Sequence, residues 1–293
     1  MKQLFDDVSF KCSKLVTKNY STSFSLAVYM LSPSIREAIY SVYGFVRFAD
    51  EIVDSFHGYE KETLIHDFET EYYKAYHSGI SLNPILNSFQ LTVKRYNISD
   101  DLIQAFLKSM KLDLVKTEYH SKEEYEEYIY GSADVVGLMC LKVFVDGDIE
   151  KYNLLKDEAM RLGSAFQKVN FLRDLKDDNL VLNRTYFPGV DLNSFDENAK
   201  QAIISEIEED FKVAFQGITK LPIEAKFGVY TAYVYYKKLL NKLEKTPSHK
   251  IGTARIRVSN YTKAGLLAQS FVFQRWRYFA NLETTLSPCI EGV

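Results

Sequence analysis

Tyr43, Arg47, Asp50 and Asp54 follow one another at spacings of 4, 3 and 4 in a segment whose other residues include Phe45, Val46, Phe48, Ala49, Ile52 and Val53. Spacings that alternate between three and four keep side chains on one face of an α-helix, whereas a strand, with its period of two, scatters them over both faces. The segment therefore reads as a mostly buried helix with a single polar stripe. Gly163, Gln167, Asn170, Asp174 and Asp178 repeat the pattern at spacings of 4, 3, 4 and 4. Each stripe contains an Asp-x-x-x-Asp pair with an arginine close before it, Arg47 in the first and Arg173 in the second, and the two pairs lie 124 residues apart.

Two carboxylates at i,i+4 on a solvated helix repel by only about 0.2–0.5 kcal/mol. Buried and unpaired, each costs several kcal/mol, so a stripe of this kind on an apolar helix points into a wet cavity and calls for positive charge. Hard divalent cations are the natural occupants, because Mg²⁺ takes oxygen ligands, retains waters and is held by a few carboxylates together with substrate phosphates. One such pair alone is a common feature of exposed helices. Two pairs, each set in apolar sequence and each with its arginine, form the specific signal.

The rest of the chain keeps the helical period. Six prolines and thirteen glycines interrupt 293 residues, and no hairpin dipeptide separates alternating strands. The expected fold is all-α, a single domain over residues 1–293. Ser32-Pro33 reads as an N-cap with proline in the first turn, opening the helix that carries the first stripe. Asn83-Pro84 repeats the device. A helix is expected from Ser99-Asp100-Asp101 to about Tyr119, and a capping box at Ser121-Lys122-Glu123-Glu124 starts the next. Irregular chain is expected from Asn179 to Asn193. Further helices are expected from near Asp196 to Gly217, from Pro222 to about Lys245 and from Ser259 to about Asn281.

Composition excludes several classes. A net charge of −3 and a pI near 6.0 give no footprint for nucleic acid. Cys12, Cys140 and Cys289 are odd in number and lack zinc-ligand spacing, which excludes a disulfide framework and fits a reducing compartment. The start, Met1-Lys2-Gln3-Leu4-Phe5-Asp6-Asp7, lacks the build of a signal peptide, and no run reaches the roughly 18 apolar residues of a membrane span. Val135 to Val145 is too short and contains Lys142. A cytoplasmic protein is expected. Ala264 to Phe279 mixes Leu266, Leu267, Phe271, Val272, Phe273 and Trp276 with Arg275 and Arg277, a pattern of either a surface-seeking helix in peripheral contact with a membrane or a core helix with a polar edge.

Four sets of residues together resemble the squalene/phytoene synthase family. They are Tyr20-Ser21-Thr22-Ser23-Phe24; Tyr43-Gly44-Phe45-Val46-Arg47-Phe48-Ala49-Asp50-Glu51-Ile52-Val53-Asp54; Tyr130-Gly131-Ser132-Ala133-Asp134-Val135-Val136-Gly137-Leu138; and Phe166 to Asp174 with Arg184, Tyr186, Phe187 and Pro188. The order and spacing of these motifs match over about residues 15 to 270. The resemblance implies a helical isoprenoid-synthase fold around a central cavity and head-to-head joining of two prenyl diphosphates with Mg²⁺ or Mn²⁺. It implies metal binding at Asp50, Asp54, Asn170, Asp174 and Asp178, and phosphate contacts from Arg47, Arg173 and Arg184 with Ser21, Tyr43 and Tyr186. Ser23 and Phe24 of the opening motif, with Asp113, Tyr130, Gln167 and Tyr236, complete the substrate-binding set. Arginine suits phosphate because its planar fork meets two oxygens at once. Aromatic faces stabilise carbocations by about 0.5–2 kcal/mol per contact, which assigns Phe24, Tyr43 and Tyr130 to the reactive part of the cavity.

The sequence departs from the family pattern at Glu51, Asp134, Lys168 and Asn183, and none of these changes removes a metal-ligand position. The Gly131–Met139 run and Ala254-Arg255-Ile256-Arg257-Val258 look most like bacterial phytoene synthases, so two C20 diphosphates are the expected substrates and NADPH is not expected. A synthase of dehydrosqualene or squalene from C15 substrates is the alternative. A helical assembly factor that lost the chemistry is another, signalled by loss of a motif aspartate, and all four aspartates stand. A metal-dependent terpene cyclase fits the arginine-linked motifs less well.

Overall fold

The structure, a computed structural model, describes residues 1–182, 184, 186–188, 195–251, 256 and 265, apart from the side chains of 176–182. Among the described residues it is all helix and turn, with no strand. The helices are α1 (Lys2–Tyr20), α2 (Thr22–Tyr29), α3 (Pro33–Asp54), α4 (Lys61–Ser78), α5 (Pro84–Tyr96), α6 (Asp100–Leu112), α7 (Lys122–Ile129), α8 (Val135–Phe144), α9 (Ile149–Leu182), α10 (Glu197–Lys220), α11 (Ile223–Glu244) and the short α12 (Ser248–Ile251). One π-helical turn, Tyr130–Asp134, joins α7 to α8. The all-α expectation is met, and the helix expected from Ser259 to about Asn281 lies, Gly265 apart, outside the described residues.

Helix starts follow their local chemistry, with instructive differences. Asn83 caps α5 as expected, its side-chain oxygen accepting from the Ile85 and Leu86 amides at 3.0 and 3.4 Å. Ser32 occupies the N-cap of α3 with Pro33 behind it, but its hydroxyl pairs with Ser34 at 3.0 Å instead of capping. Its amide donates to the Glu224 carbonyl at 2.8 Å, a contact that pins the start of α3 to the start of α11. Ser121 accepts from the Glu124 amide at 3.2 Å, while the Glu124 carboxylate takes the His120 amide at 2.9 Å, so the capping box closes one residue early. Helix α6 stops at Leu112 rather than near Tyr119, because Asp113 turns its carbonyl to a distant arginine, Arg184. Helix α9 runs on to Leu182, three residues beyond the expected start of irregular chain at Asn179, since nothing in Asn179-Leu180-Val181-Leu182 breaks a helix.

The core has two centres. Around α3, Phe45 stacks on Phe89 at 3.9 Å and touches the rings of Phe68, Tyr72 and Phe106 at 5.2, 5.4 and 5.9 Å. Truncating a ring held this way costs about 3–5 kcal/mol. Around α9, Phe171 stacks on Tyr186 at 3.9 Å, with Tyr128 and Phe187 against it at 6.1 Å each. Between the two centres lies an apolar cavity of about 280 Å³, walled by α2, α3, α8, α9, α10 and α11. Gly163 brings α9 against the π-helical turn, where an added Cβ would stand 2.8 Å from the Ala133 carbonyl oxygen. That close approach sets the width of the cavity at this wall.

Candidate functional site

Both stripes reach the cavity. Phe24, Tyr43, Gln167 and Tyr236 line it together with Ser132, Val136 and Gly137. Phe24 stacks on Tyr43 at 4.7 Å, and Tyr236 stacks on Phe166 at 4.0 Å. The Tyr43 hydroxyl is pushed up to about 12, first by burial, with Arg47 opposing and Ser21 in hydrogen-bonding reach. Ser21 also caps α2 through the Phe24 amide at 3.2 Å.

On α3, Arg47 bridges two carboxylates, Asp50 at 2.5 Å and Glu51 one residue on. Its guanidinium lies over the Tyr20 ring at 4.5 Å, and its Nε is buried without a partner. Asp50 keeps about a third of its side chain reachable (34%). Its carboxyl is nevertheless driven upward, first by burial and then by Asp54 one turn away, with Arg47 opposing. An acid held beside a second acid with too little compensation is a site that demands more positive charge.

The second acid of the pair is closed by a residue 130 positions away. Arg184 donates to Asp54 at 2.8 Å, to the Asp113 carbonyl at 2.8 Å and to the Tyr186 hydroxyl at 3.4 Å. Asp113 is buried, and burial pushes its carboxyl up to about 7. One of its oxygens accepts from Tyr128 at 2.9 Å and the other is buried without a partner. Tyr128 was missed in the sequence, where it sits off both polar stripes. Its one signal was a place on the face of α7 shared with Tyr125.

On α9 the arginine of the acid pair is the acid's own neighbour in sequence. Arg173 donates through Nε to Asp174 at 2.9 Å and grips its second oxygen as well, a bidentate pair between neighbours in sequence. Asn170 accepts from Tyr236 of α11 at 3.3 Å. Asp178 lies one helical turn beyond Asp174, with its side chain outside what is described. Lys168 points away from the stripe, as its spacing implies, to Glu206 and to Asp210 at 2.7 Å. Ser23 is half-buried on α2, and Tyr130 is 37% exposed, neither of them in the cavity wall. Asp134 turns to the Ser164 hydroxyl at 2.7 Å, behind the wall rather than into the cavity.

Among the described residues no three acidic, histidine or cysteine side chains gather around one point. The carboxylates stand as an α3 pair and an α9 member, an open arrangement. The unmet charge at Asp50 and the orphaned Asp113 oxygen fit a divalent cation whose remaining ligands come from water and phosphate.

Residues 17–262 match the family model described as squalene/phytoene synthase. A phytoene synthase from Arthrospira platensis is 24% identical over 261 residues, covering 81% of this chain and 84% of its own length. The 15-cis-phytoene synthase of a Synechocystis strain is 27% identical over 268 residues, 80% of this chain and 77% of the relative. Among solved structures, a dehydrosqualene synthase in complex with a ligand is similar with a TM-score of 0.81 at 20% identity, covering 92% of this chain and 98% of that one. A squalene synthase from Alicyclobacillus acidocaldarius gives 0.70 at 21% identity, over 81% and 93%. At these identities the two structures speak to the fold alone.

Proposed function

We propose, because the chain belongs to the squalene/phytoene synthase family, that it is a prenyltransferase joining two prenyl diphosphates head to head, with geranylgeranyl diphosphate as substrate and phytoene as product. On this reading residues 1–293 act as one domain in carotenoid biosynthesis. The observation that carries it is the junction of an arginine-wired acid pair, Arg47–Asp50 and Arg184–Asp54, with an apolar cavity that both polar stripes border. A ligand for such a site has an anionic head and a long apolar tail. The phytoene synthases of Arthrospira platensis and Synechocystis support the C20 choice.

Asp50, Asp54, Asn170, Asp174 and Asp178 would hold Mg²⁺ or Mn²⁺. Bound there, the metal neutralises charge on the departing diphosphate. Arg47, Arg173 and Arg184 are the proposed phosphate ligands, with Ser21, Tyr43 and Tyr186 beside them, and placing cations where charge develops is the largest rate term open to such a site. One substrate loses diphosphate, and its C1 is attacked by the double bond of the second. Proton loss then gives a cyclopropylcarbinyl diphosphate, and a second ionisation, rearrangement and proton loss form the central bond. Phe24 and Tyr43 offer aromatic faces to the cation, and the apolar wall excludes water that would trap it. No reductant enters this sequence, so NADPH is not required.

Purified protein with Mg²⁺, offered C15 or C20 diphosphate with and without NADPH, tests the reading by hydrocarbon analysis. Phytoene from C20 without NADPH is expected. Dehydrosqualene or squalene from C15 would replace it with the C15 reading. Folded protein that releases neither hydrocarbon nor diphosphate would sink both.

A further inference from the structure

Glu51 adjoins the α3 acid pair without belonging to it. It follows Asp50 in the chain, lies off the stripe of Tyr43, Arg47, Asp50 and Asp54, and sits one helical turn after Arg47. Its side chain is 16% accessible, against 34% for Asp50. A carboxylate withdrawn that far from water is stable only against a fixed cation, and Arg47 is the cation it meets. The guanidinium is held at both ends, by Glu51 through Nη2 and by Asp50 through Nη1 at 2.5 Å. A third side is covered by Tyr20, the last residue of α1, whose ring centre lies 4.5 Å away. Nε is buried inside this cage without a partner. Each Nη group carries two N–H donors, so one on each is left for a ligand.

The two carboxylates that hold Arg47 have different prospects once the site is loaded. Asp50 is a proposed metal ligand, and a bound divalent cation is the largest local charge in such a site. A carboxylate that shares its charge with a metal grips an arginine less strongly. Were Asp50 the sole anchor, filling the metal site would loosen the arginine that has to meet the departing diphosphate, and the arginine would in turn compete with the metal for Asp50. Glu51 removes the conflict. With it, Arg47 keeps one charge-assisted bond while Asp50 turns to the metal.

We propose that Glu51 is a positioning residue of the diphosphate site: it holds the Arg47 guanidinium against the Tyr20 ring and thereby frees Asp50 for the metal. Glu51 acts through Arg47 and touches neither metal nor phosphate. The assignment rests on the metal and phosphate roles proposed above for Asp50 and Arg47, and not on the length of the prenyl tail.

Calorimetric binding of inorganic diphosphate to the full chain, titrated at a series of Mg²⁺ concentrations, tests it without reference to turnover. In Glu51→Gln, Arg47 falls back on Asp50, and the Mg²⁺ concentration for half-maximal diphosphate binding is expected to rise about tenfold, the scale of one lost hydrogen bond to a charged group. Saturating Mg²⁺ should restore most of the binding, which it would not do if the substitution had only loosened the packing. Glu51→Asp keeps the charge and should retain most of the wild-type behaviour. In an Arg47→Met background Glu51→Gln should cause no further loss, because the group it acts through is gone. Tyr20→Leu, at a ring that is 47% exposed, opens the cage from its other side and keeps the role testable if Glu51→Gln is unstable; diphosphate binding is expected to weaken about threefold. An unchanged Mg²⁺ requirement in folded Glu51→Gln, an equal rise in the Arg47→Met background, or full binding by Tyr20→Leu would each overturn the proposal. Failure of the synthase reading looks different: wild-type protein that makes no hydrocarbon but shows the Glu51-dependent Mg²⁺ shift keeps the proposal for a diphosphate site of another reaction. Wild-type protein that binds no diphosphate with Mg²⁺ would overturn both.

Discussion

The two acidic stripes share a sequence signature and differ in how they are held. On α3, Asp54 is held by Arg184, which comes from beyond the end of α9 and also grips the carbonyl at the end of α6. On α9, Asp174 is held by Arg173, its own neighbour in the chain. Asp54 has its arginine only when distant segments have docked, whereas Asp174 has its arginine as soon as α9 forms. A pair that depends on tertiary closure couples site formation to folding, and a local pair does not.

Activity gives the largest effect. If both stripes serve one diphosphate site, Asp54→Asn and Asp174→Asn each lower turnover by roughly 10²–10³, the scale for losing one preorganised electrostatic contact to developing charge. Steady-state release of diphosphate at saturating Mg²⁺ measures both. Either variant retaining more than a tenth of wild-type turnover removes its stripe from the chemistry and breaks the symmetry that the sequence suggests.

Stability should then separate what activity does not. Arg184→Met leaves Asp113 buried beside Asp54 without their shared cation, and a loss of roughly 3 kcal/mol is expected, the low end for breaking a buried pair because Asp54 is still 30% accessible. Arg173→Met removes a largely buried pair, 18% and 16% accessible, whose two members are neighbours on α9, and a loss of roughly 2 kcal/mol is expected, between the exposed and the buried range. Urea unfolding of the two variants gives the ordering. Equal losses would mean that closure by Arg184 is no more structural than the local pair.

This contrast also marks what was legible beforehand. The 4-3-4 spacing placed Tyr43, Arg47, Asp50 and Asp54 on one helix face because helical period is a local property, and α3 begins at Pro33 as expected. The partner of Asp54 was not legible, because it lies 130 residues away across a fold. The same closure ends α6 at Leu112, where local propensity alone would have carried the helix on. Tyr128 escaped because its importance comes from its hydrogen bond to Asp113, not from any repeat. The burial of Ser9, Ser13 and Thr17 on α1 ran against hydropathy altogether, since small hydroxyls pack by close approach and find partners in another hydroxyl, as Ser13 does in Ser88, or in a helix carbonyl, as Thr17 does in Ser13.

Asp134 shows a third way to hold an acid: buried, hydrogen-bonded to Ser164 and without direct arginine contact. Its carboxyl is pushed up to about 7, first by burial, with Asp210 adding to the rise and Lys168 and Arg161 opposing it. The folded state therefore prefers the protonated acid. The stability this contributes is fully present below the unfolded value of 3.8 and is lost as pH rises through about 7. The rise from 3.8 to about 7 sets a ceiling of about 4 kcal/mol, and roughly half of it is expected to be recoverable. Asp134→Asn should raise stability by roughly 2 kcal/mol at pH 8 and by much less at pH 5, read from urea unfolding at both pH values. A gain that is the same at both would mean that the amide repacks the turn without relieving a charge.

The smallest effect lies where α11 meets the second stripe. Tyr236→Phe keeps the stack on Phe166 and deletes only the 3.3 Å hydrogen bond to Asn170. One half-buried acceptor loses its partner, so unfolding stability should fall by about 0.5–1 kcal/mol. If that bond aims Asn170 at a cation shared with Asp174, turnover falls about threefold and the Mg²⁺ concentration for half-maximal turnover rises, with KM for the prenyl diphosphate unchanged. If only stability changes, the bond from α11 steadies the fold without aiming Asn170 at a cation.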